Sequence, residues 1–213
     1  MTFNKIKEIE MKYLKNLFLA GFLLANLSAY AAPEPYASVR DLPFTPYFVQ
    51  DGYVFYSLIE SHNAAVIVDV ESQDGSVARF VAQLANNLPS LSAIYSISAW
   101  PETDPVQRRP YQRFLSNVKH ETTTELITPI RMNSLEAAMS LNIKADFISL
   151  VGANDQDRIY KDILAWYPHL SDNGVICGNN WYENAVELGV TKAATSLDLN
   201  LKISGNVWYF EKN

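Results

Sequence analysis

Apolar and polar positions change their rhythm several times along this chain, and each change marks an element. Five short apolar runs, β-branched or aromatic in the main, read as strands: Ala65–Val70 (AVIVDV), Ala93–Ile97 (AIYSI), Leu126–Ile130, Asp146–Val151 (DFISLV) and Gly174–Cys177 (GVIC). Helical spacing fills the intervals. Phe55–Ser61 is one helix; Val77–Asn86 is another, with Ser76 as its cap after the Gln73-Asp74-Gly75 turn. Tyr111, Phe114, Leu115 and Val118 share a stripe, as do Ile159, Ile163 and Trp166 within Arg158–Tyr167. A further helix opens at Ser134, where Ala137 stands in place of a capping-box acid. Trp181–Leu188 reads as a short helix, and Ser196–Ser204 with Asn206–Glu211 as a closing strand pair around a Gly205-Asn206 turn.

Strands that alternate with helices build a mostly parallel sheet covered on both faces, and the two final strands in succession make an antiparallel edge. In such an α/β sheet a ligand sits beyond the carboxyl ends of the strands. The positions of interest are therefore 69–76, 98–100, 132–134, 151–155 and 178–181.

Ahead of this domain the pattern differs. Lys5, Lys7, Lys12 and Lys15 precede an apolar run, Leu17–Leu27, and Ala29 and Ala31 then form an A-x-A site. This is the layout of a secretory signal peptide over residues 1–31, cleaved after Ala31, and it predicts a secreted or periplasmic protein. The apolar run is well short of the ~20 residues of a spanning helix. Residues 32–54 read as an extended lead-in, with four prolines between Ala32 and Pro46. The domain then occupies residues 55–213.

Composition narrows the function. With 48% hydrophobic and 19% charged residues the 213-residue chain is globular, and a net charge of −6 argues against a nucleic-acid partner. A single Cys excludes an internal disulfide framework. Cys177 lies in a buried strand run and reads as core. No Ser/His/Asp arrangement, phosphate-binding Gly-rich loop or H-E-x-x-H helix is present. His62, His120 and His169 lie on different elements, His169 reading as a helix-end cation. Asp155 and Asp157 suit a helix start, and Arg108 and Arg109 a solvated loop.

The stretch Lys161-Asp-Ile-Leu-Ala-Trp-Tyr-Pro168, followed by Leu170 and Gly174-Val-Ile-Cys-Gly178, resembles class I S-adenosylmethionine-dependent methyltransferases, in particular the small branch called methyltransferase family 24. Tyr111–Lys119, Thr128–Arg131 and Gly205–Trp208 add to the likeness, which spans about Leu58 to Lys212. The resemblance implies a Rossmann-like methyltransferase sheet. It also implies a cofactor held by a Gly-rich loop after the first strand, by an acid after the second and by an acidic position after the third. Some relatives hold a divalent metal through acids after the fourth and fifth strands.

Mapped onto those positions, this chain keeps Asp69, Gly75, Ser76 and Gly152. The first loop glycine is Glu71, the ribose acid falls on Ser98, and the next acidic position is Asn133. After the fourth strand the family's D-G-D-H becomes Val151-Gly152-Ala153-Asn154, and the later acid pair becomes Asn179-Asn180. Trp100 and Trp181 follow strands two and five, where a ring is placed to stack on a planar ligand or simply to pack. Asp69 is either a ligand residue or a cap for the adjacent loop, and Asn179 and Asn180 either ligand contacts or plain loop. Gly75 and Gly152 suit turns whatever binds.

The candidate cofactor site is thus Asp69, Gly75, Ser76, Ser98, Trp100, Asn133 and Gly152, with no catalytic residue, no metal and a weakened or lost S-adenosylmethionine site expected. Such a protein would act by binding a small molecule or a protein. An active divergent methyltransferase, transferring a methyl group to oxygen or nitrogen of a small molecule, and a protein–protein interaction module are the alternatives.

Overall fold

The computed structural model describes residues 51–85, 88–101, 109–119, 124–152 and 154–212. The expected export signal, most of the expected lead-in, Arg108 and His120 lie outside these residues. Helix α1 spans Gly52–Ser61, so the last residues assigned to the extended lead-in, 52–54, are helical. Strand β1 (Val66–Val70) leads to α2 (Ser76–Leu84), β2 (Ala93–Ser98) to α3 (Pro110–Val118), and β3 (Ile127–Arg131) to α4 (Ser134–Ser140). Then follow β4 (Ala145–Leu150), α5 (Gln156–Trp166), β5 (Leu170–Gly178), α6 (Asn184–Leu197), β6 (Lys202–Ser204) and β7 (Val207–Glu211).

One seven-stranded sheet runs in the order β3-β2-β1-β4-β5-β7-β6. Strands β1 to β5 pair in parallel, while β7 is antiparallel to both β5 and β6. Helices α1, α2 and α3 pack with one set of strand side chains, including Ile67, Ile94 and Phe147. Helices α4, α5 and α6 pack with the other set, including Val68, Ile148 and Ile176. Adjacent residues of β1 and β4 fall into opposite clusters because strand side chains alternate between faces. Pro129 sits in β3, an end strand of the sheet, where the missing N–H costs no inner ladder bond.

The structure also differs from the sequence pattern at α6, β5 and α2. Helix α6 is 14 residues long and runs through the region read as the start of a strand. Val186, Gly189, Val190 and Ala193 form its buried stripe. Gly189 interrupts the pattern for a steric reason: a Cβ there would lie 2.1 Å from Ile159 Cγ2 and 2.6 Å from the Gln156 carbonyl oxygen, so glycine lets α6 lie close against α5. Strand β5 begins at Leu170, ahead of the Gly174 start. At α2, Gly75 is the N-cap and Ser76 the first helical residue. The Asp74 carboxylate accepts from Ser76 N (3.2 Å) and Ser76 Oγ (2.7 Å), so Asp74 supplies the capping oxygen assigned to Ser76.

Candidate functional site

The parallel order places the ends of β1, β2, β3 and β4 along one edge, with a change of direction between β1 and β4. Asp69 is the acid of β1 and is only 1% exposed. Its carboxylate accepts from Ser72 Oγ (2.5 Å) and Ser149 Oγ (2.8 Å). Burial pushes its carboxyl up to about 7, against the opposing pull of those two hydroxyls. Cys177 is fully buried; burial and the nearby Asp69 push its thiol well up, which suits a core residue.

The loop from Glu71 to Gly75 is closed by partners within the chain. Ser72 N donates to Ile97 O (3.0 Å) and Gly75 N to Ser72 O (2.7 Å). Trp100 Nε1 donates to Gln73 O (2.6 Å), and Asn117 Nδ2 to Asp74 O (2.8 Å). Glu71, Gln73 and Gly75 have φ of 61°, 43° and 85°, so the first and second of these carry side chains in a region that favours glycine. A Cβ on Gly75 would lie 3.0 Å from Phe114 and Val118, and one on Gly152 (φ +91) would lie 3.0 Å from Gln73 Nε2. Both glycines therefore serve turns that another chain segment presses against.

Trp100 closes the end of β2. It is 1% exposed, with its ring centroid 4.7 Å from Phe114 and 5.1 Å from Tyr111. Ser98, expected from the resemblance at the place of a ribose acid, is buried beneath the same edge. Trp100 thus packs into the core instead of offering a free face to a ligand.

The other half of the edge is open. A cleft of about 320 Å³ lies between the first turns of α4 and α5 and the loop after β1. Asn133 caps α4, accepting from Glu136 N at 2.9 Å and donating from Nδ2 to Glu136 Oε2 at 3.1 Å. The cap thus lies one residue before Ser134, with Glu136 as its side-chain partner. Asp155 caps α5 by accepting from Arg158 N at 2.9 Å. At the back of the cleft Trp166 Nε1 donates to Ser134 Oγ (2.9 Å), which donates to the buried Asp162 (2.5 Å). Burial pushes the Asp162 carboxyl up, while Ser134 and Arg158 pull it down. Arg158 bridges Glu71 and Asp162, pairing with Glu71 Oε1 and lying 3.9 Å from Asp162 Oδ2.

Of the seven candidate residues, the structure places Asp69, Gly75, Ser98 and Trp100 in the packed half of the edge, Ser76 half-buried at the start of α2, Gly152 exposed after β4, and Asn133 at the cleft. The sequence pattern missed Arg158 and Asp162 as cleft residues; their i, i+4 spacing behind an N-cap was the available signal. It also missed Asp51, a buried acid that hydrogen-bonds Asn179 and Asn206 beside the end of β5. Asn180 Nδ2 donates to Asn154 Oδ1 (3.1 Å), so both members of the pair after β5 have partners in the chain. His169 sits at the end of α4, its ring nitrogens 2.8 Å from Ala138 O and 3.0 Å from Ile143 O. Among the described residues no group of three or more His, Cys, Asp or Glu side chains is placed to hold a metal ion. Nor is any described helix long and apolar enough to cross a membrane.

A family described as a methyltransferase domain matches residues 70–181. Solved structures share the fold at low identity. A Podospora anserina methyltransferase bound to S-adenosylhomocysteine superposes with a TM-score of 0.63 at 12% identity, covering 92% of this chain and 95% of that one. The O-methyltransferase TomG of Streptomyces achromogenes, in complex with S-adenosylmethionine, gives 0.59 at 13% identity, with 89% and 95% covered. A Bacillus cereus O-methyltransferase in complex with S-adenosylhomocysteine gives 0.57 at 13% identity, with 91% and 90% covered. No curated protein matches the chain significantly.

Proposed function

The chain belongs to the methyltransferase-domain family, and on that premise we propose that it is a methyltransferase-fold binding protein whose S-adenosylmethionine site is weakened or lost. One observation carries the reading: in the loop after β1, which would have to cradle the cofactor's amino-acid end, four backbone polar groups are already held by this chain. The amides of Ser72 and Gly75 and the carbonyls of Gln73 and Asp74 all have protein partners. Three further features favour it. Glu71 adds a carboxylate where the ligand's own carboxylate would approach. Ser98 gives the ribose hydroxyls no charged acceptor, and Trp100 is committed to the core. The residues present therefore do not fit the cofactor as the family's motif would hold it.

The ligand under this reading is a small polar molecule, or a protein group, that enters the cleft at Asn133 and Arg158. The N-terminal pattern supports export to a secreted or periplasmic destination, away from the cytoplasm where the cofactor is made. N-terminal sequencing of the protein isolated from its native cells tests this part: a start at Ala32 supports it, and a start at Met1 or Met11 refutes it. Mass spectrometry of the gently desalted native protein tests the binding role. The reading expects a co-purifying polar ligand or partner other than the cofactor, and refutation is S-adenosylmethionine or its demethylated product in stoichiometric amount.

An active divergent methyltransferase is the second reading. The likeness to O-methyltransferases solved with S-adenosylmethionine or S-adenosylhomocysteine favours it, as does a cleft that opens at the strand ends. It expects labelled methyl groups to pass from the cofactor to a component of a cell extract, and the transfer to fail in Asp69→Ala.

A further inference from the structure

We infer that Glu71 is the residue that bars an anionic ligand head from the loop after β1, and that its ion pair with Arg158 is the latch that holds it across the cleft. The inference rests on the reading of a weakened cofactor site and names its immediate cause.

Glu71 holds φ at 61° directly after β1. A left-handed backbone is unfavourable for an L-residue and persists only where the surroundings fix it. The surroundings here are electrostatic. The Glu71 side chain is 16% exposed and pairs with Arg158, which projects from the first turn of α5 on the opposite wall. Arg158 is in turn drawn toward the buried Asp162, which Ser134 and Trp166 anchor. The loop, the guanidinium and the back wall thus form one chain of contacts across the opening.

The charge pattern sets which ligands this arrangement refuses. Glu71, Asp155, Asp157 and Asp162 face Arg158 and Lys161 around the cleft, so acids outnumber bases. Arg158, the base nearest the loop, is already neutralised by Glu71. A carboxylate entering toward the loop would meet the Glu71 charge, with Arg158 already paired to it and Lys161 a turn further along α5. Removing Glu71 reverses both conditions: the left-handed position becomes free of side chain, and the guanidinium becomes available to pair with an anion.

The test is calorimetric titration of S-adenosylhomocysteine, a nucleoside with a zwitterionic amino-acid tail, into the full chain and two variants. Glu71→Gly is expected to bind at least tenfold more tightly than the parent protein. Arg158→Met, which opens the latch but leaves the carboxylate in place, is expected to gain nothing. Equal affinity of Glu71→Gly and the parent overturns the inference, whether both bind or neither does. A gain in Arg158→Met as large as in Glu71→Gly also overturns it, by moving the block to the arginine. The ratio judges the latch, whereas the parent protein's own affinity judges the proposed function; low-micromolar binding by the parent would refute the latter alone. Circular dichroism melting of each variant confirms folding, and Glu71→Gln, which keeps the bulk and removes the charge, serves as a second folded variant expected to bind more tightly than the parent. A Glu71→Gln protein that binds no better than the parent overturns the electrostatic part.

Discussion

Over β1 and β2 the carboxyl edge of the sheet is packed: Asp69, Ser72, Ser98 and Trp100 all lie below the surface. Over β3 and β4 the same edge opens into a charged cleft. Ser98 and Asn133 illustrate the difference. Each stands where the family pattern has an acid, and each is neutral. Yet Ser98 is sealed under the β2 end, whereas Asn133 caps α4 and lines the opening. Loss of charge alone therefore does not close a site. Closure follows where a large ring finds apolar partners, as Trp100 does on Phe114 and Tyr111. Where two helices begin side by side, their capping groups stay at the surface and keep the edge polar.

If the packed half is a true piece of core, its substitutions will cost far more than those of the cleft. Trp100→Ala removes a buried ring and should lower unfolding free energy by about 3–5 kcal/mol in urea denaturation. A loss below about 1 kcal/mol would mean that the ring seals nothing.

Asp69→Asn sharpens the comparison through pH. The native carboxyl titrates at about 7 and an unburied one near 3.8. Between those values the native state holds a proton that the unfolded state has released, so this group makes stability fall as pH rises from about 4 to 7. Its contribution is most favourable below the unfolded value. Asp69→Asn cannot titrate, so its melting temperature should gain on the parent's between pH 5 and pH 8. Parallel pH profiles would place Asp69 in contact with water.

In the open half the effects are smaller. Asn133→Ala loses the α4 cap and should cost about 1 kcal/mol. Arg158→Met removes a half-exposed cation and should change stability by less than about 1 kcal/mol. A cost for Arg158 comparable to that of Trp100 would erase the distinction between the two halves.

The order of elements was legible because β1, β2, β4 and the end of β5 are apolar runs with acids or turn residues at their ends. The Trp166 region carried the family likeness, and Trp166 is buried in the cluster that packs α5 against the sheet, with Tyr167 against it. Two errors have separate causes. Gly189 and the Val and Thr residues of α6 lower helix propensity, and only the neighbouring α5 explains why a helix there prefers glycine. Gly75 rather than Ser76 occupies the cap because Asp74 already supplies the capping oxygen. At the site, the sequence displayed the missing acids but could not display the loop's internal hydrogen bonds, which join residues as distant as Asp74 and Asn117. Nor could it show that Glu71 meets Arg158, since that pair exists only once β1 and β4 lie side by side.

The central claim is that the loop after β1 has closed upon its own chain. Equilibrium dialysis of radiolabelled S-adenosylmethionine against the purified full-length protein tests it most directly. The account predicts a dissociation constant weaker than about 1 mM, and saturable one-to-one binding near 1 μM, ~4 kcal/mol stronger, would contradict it.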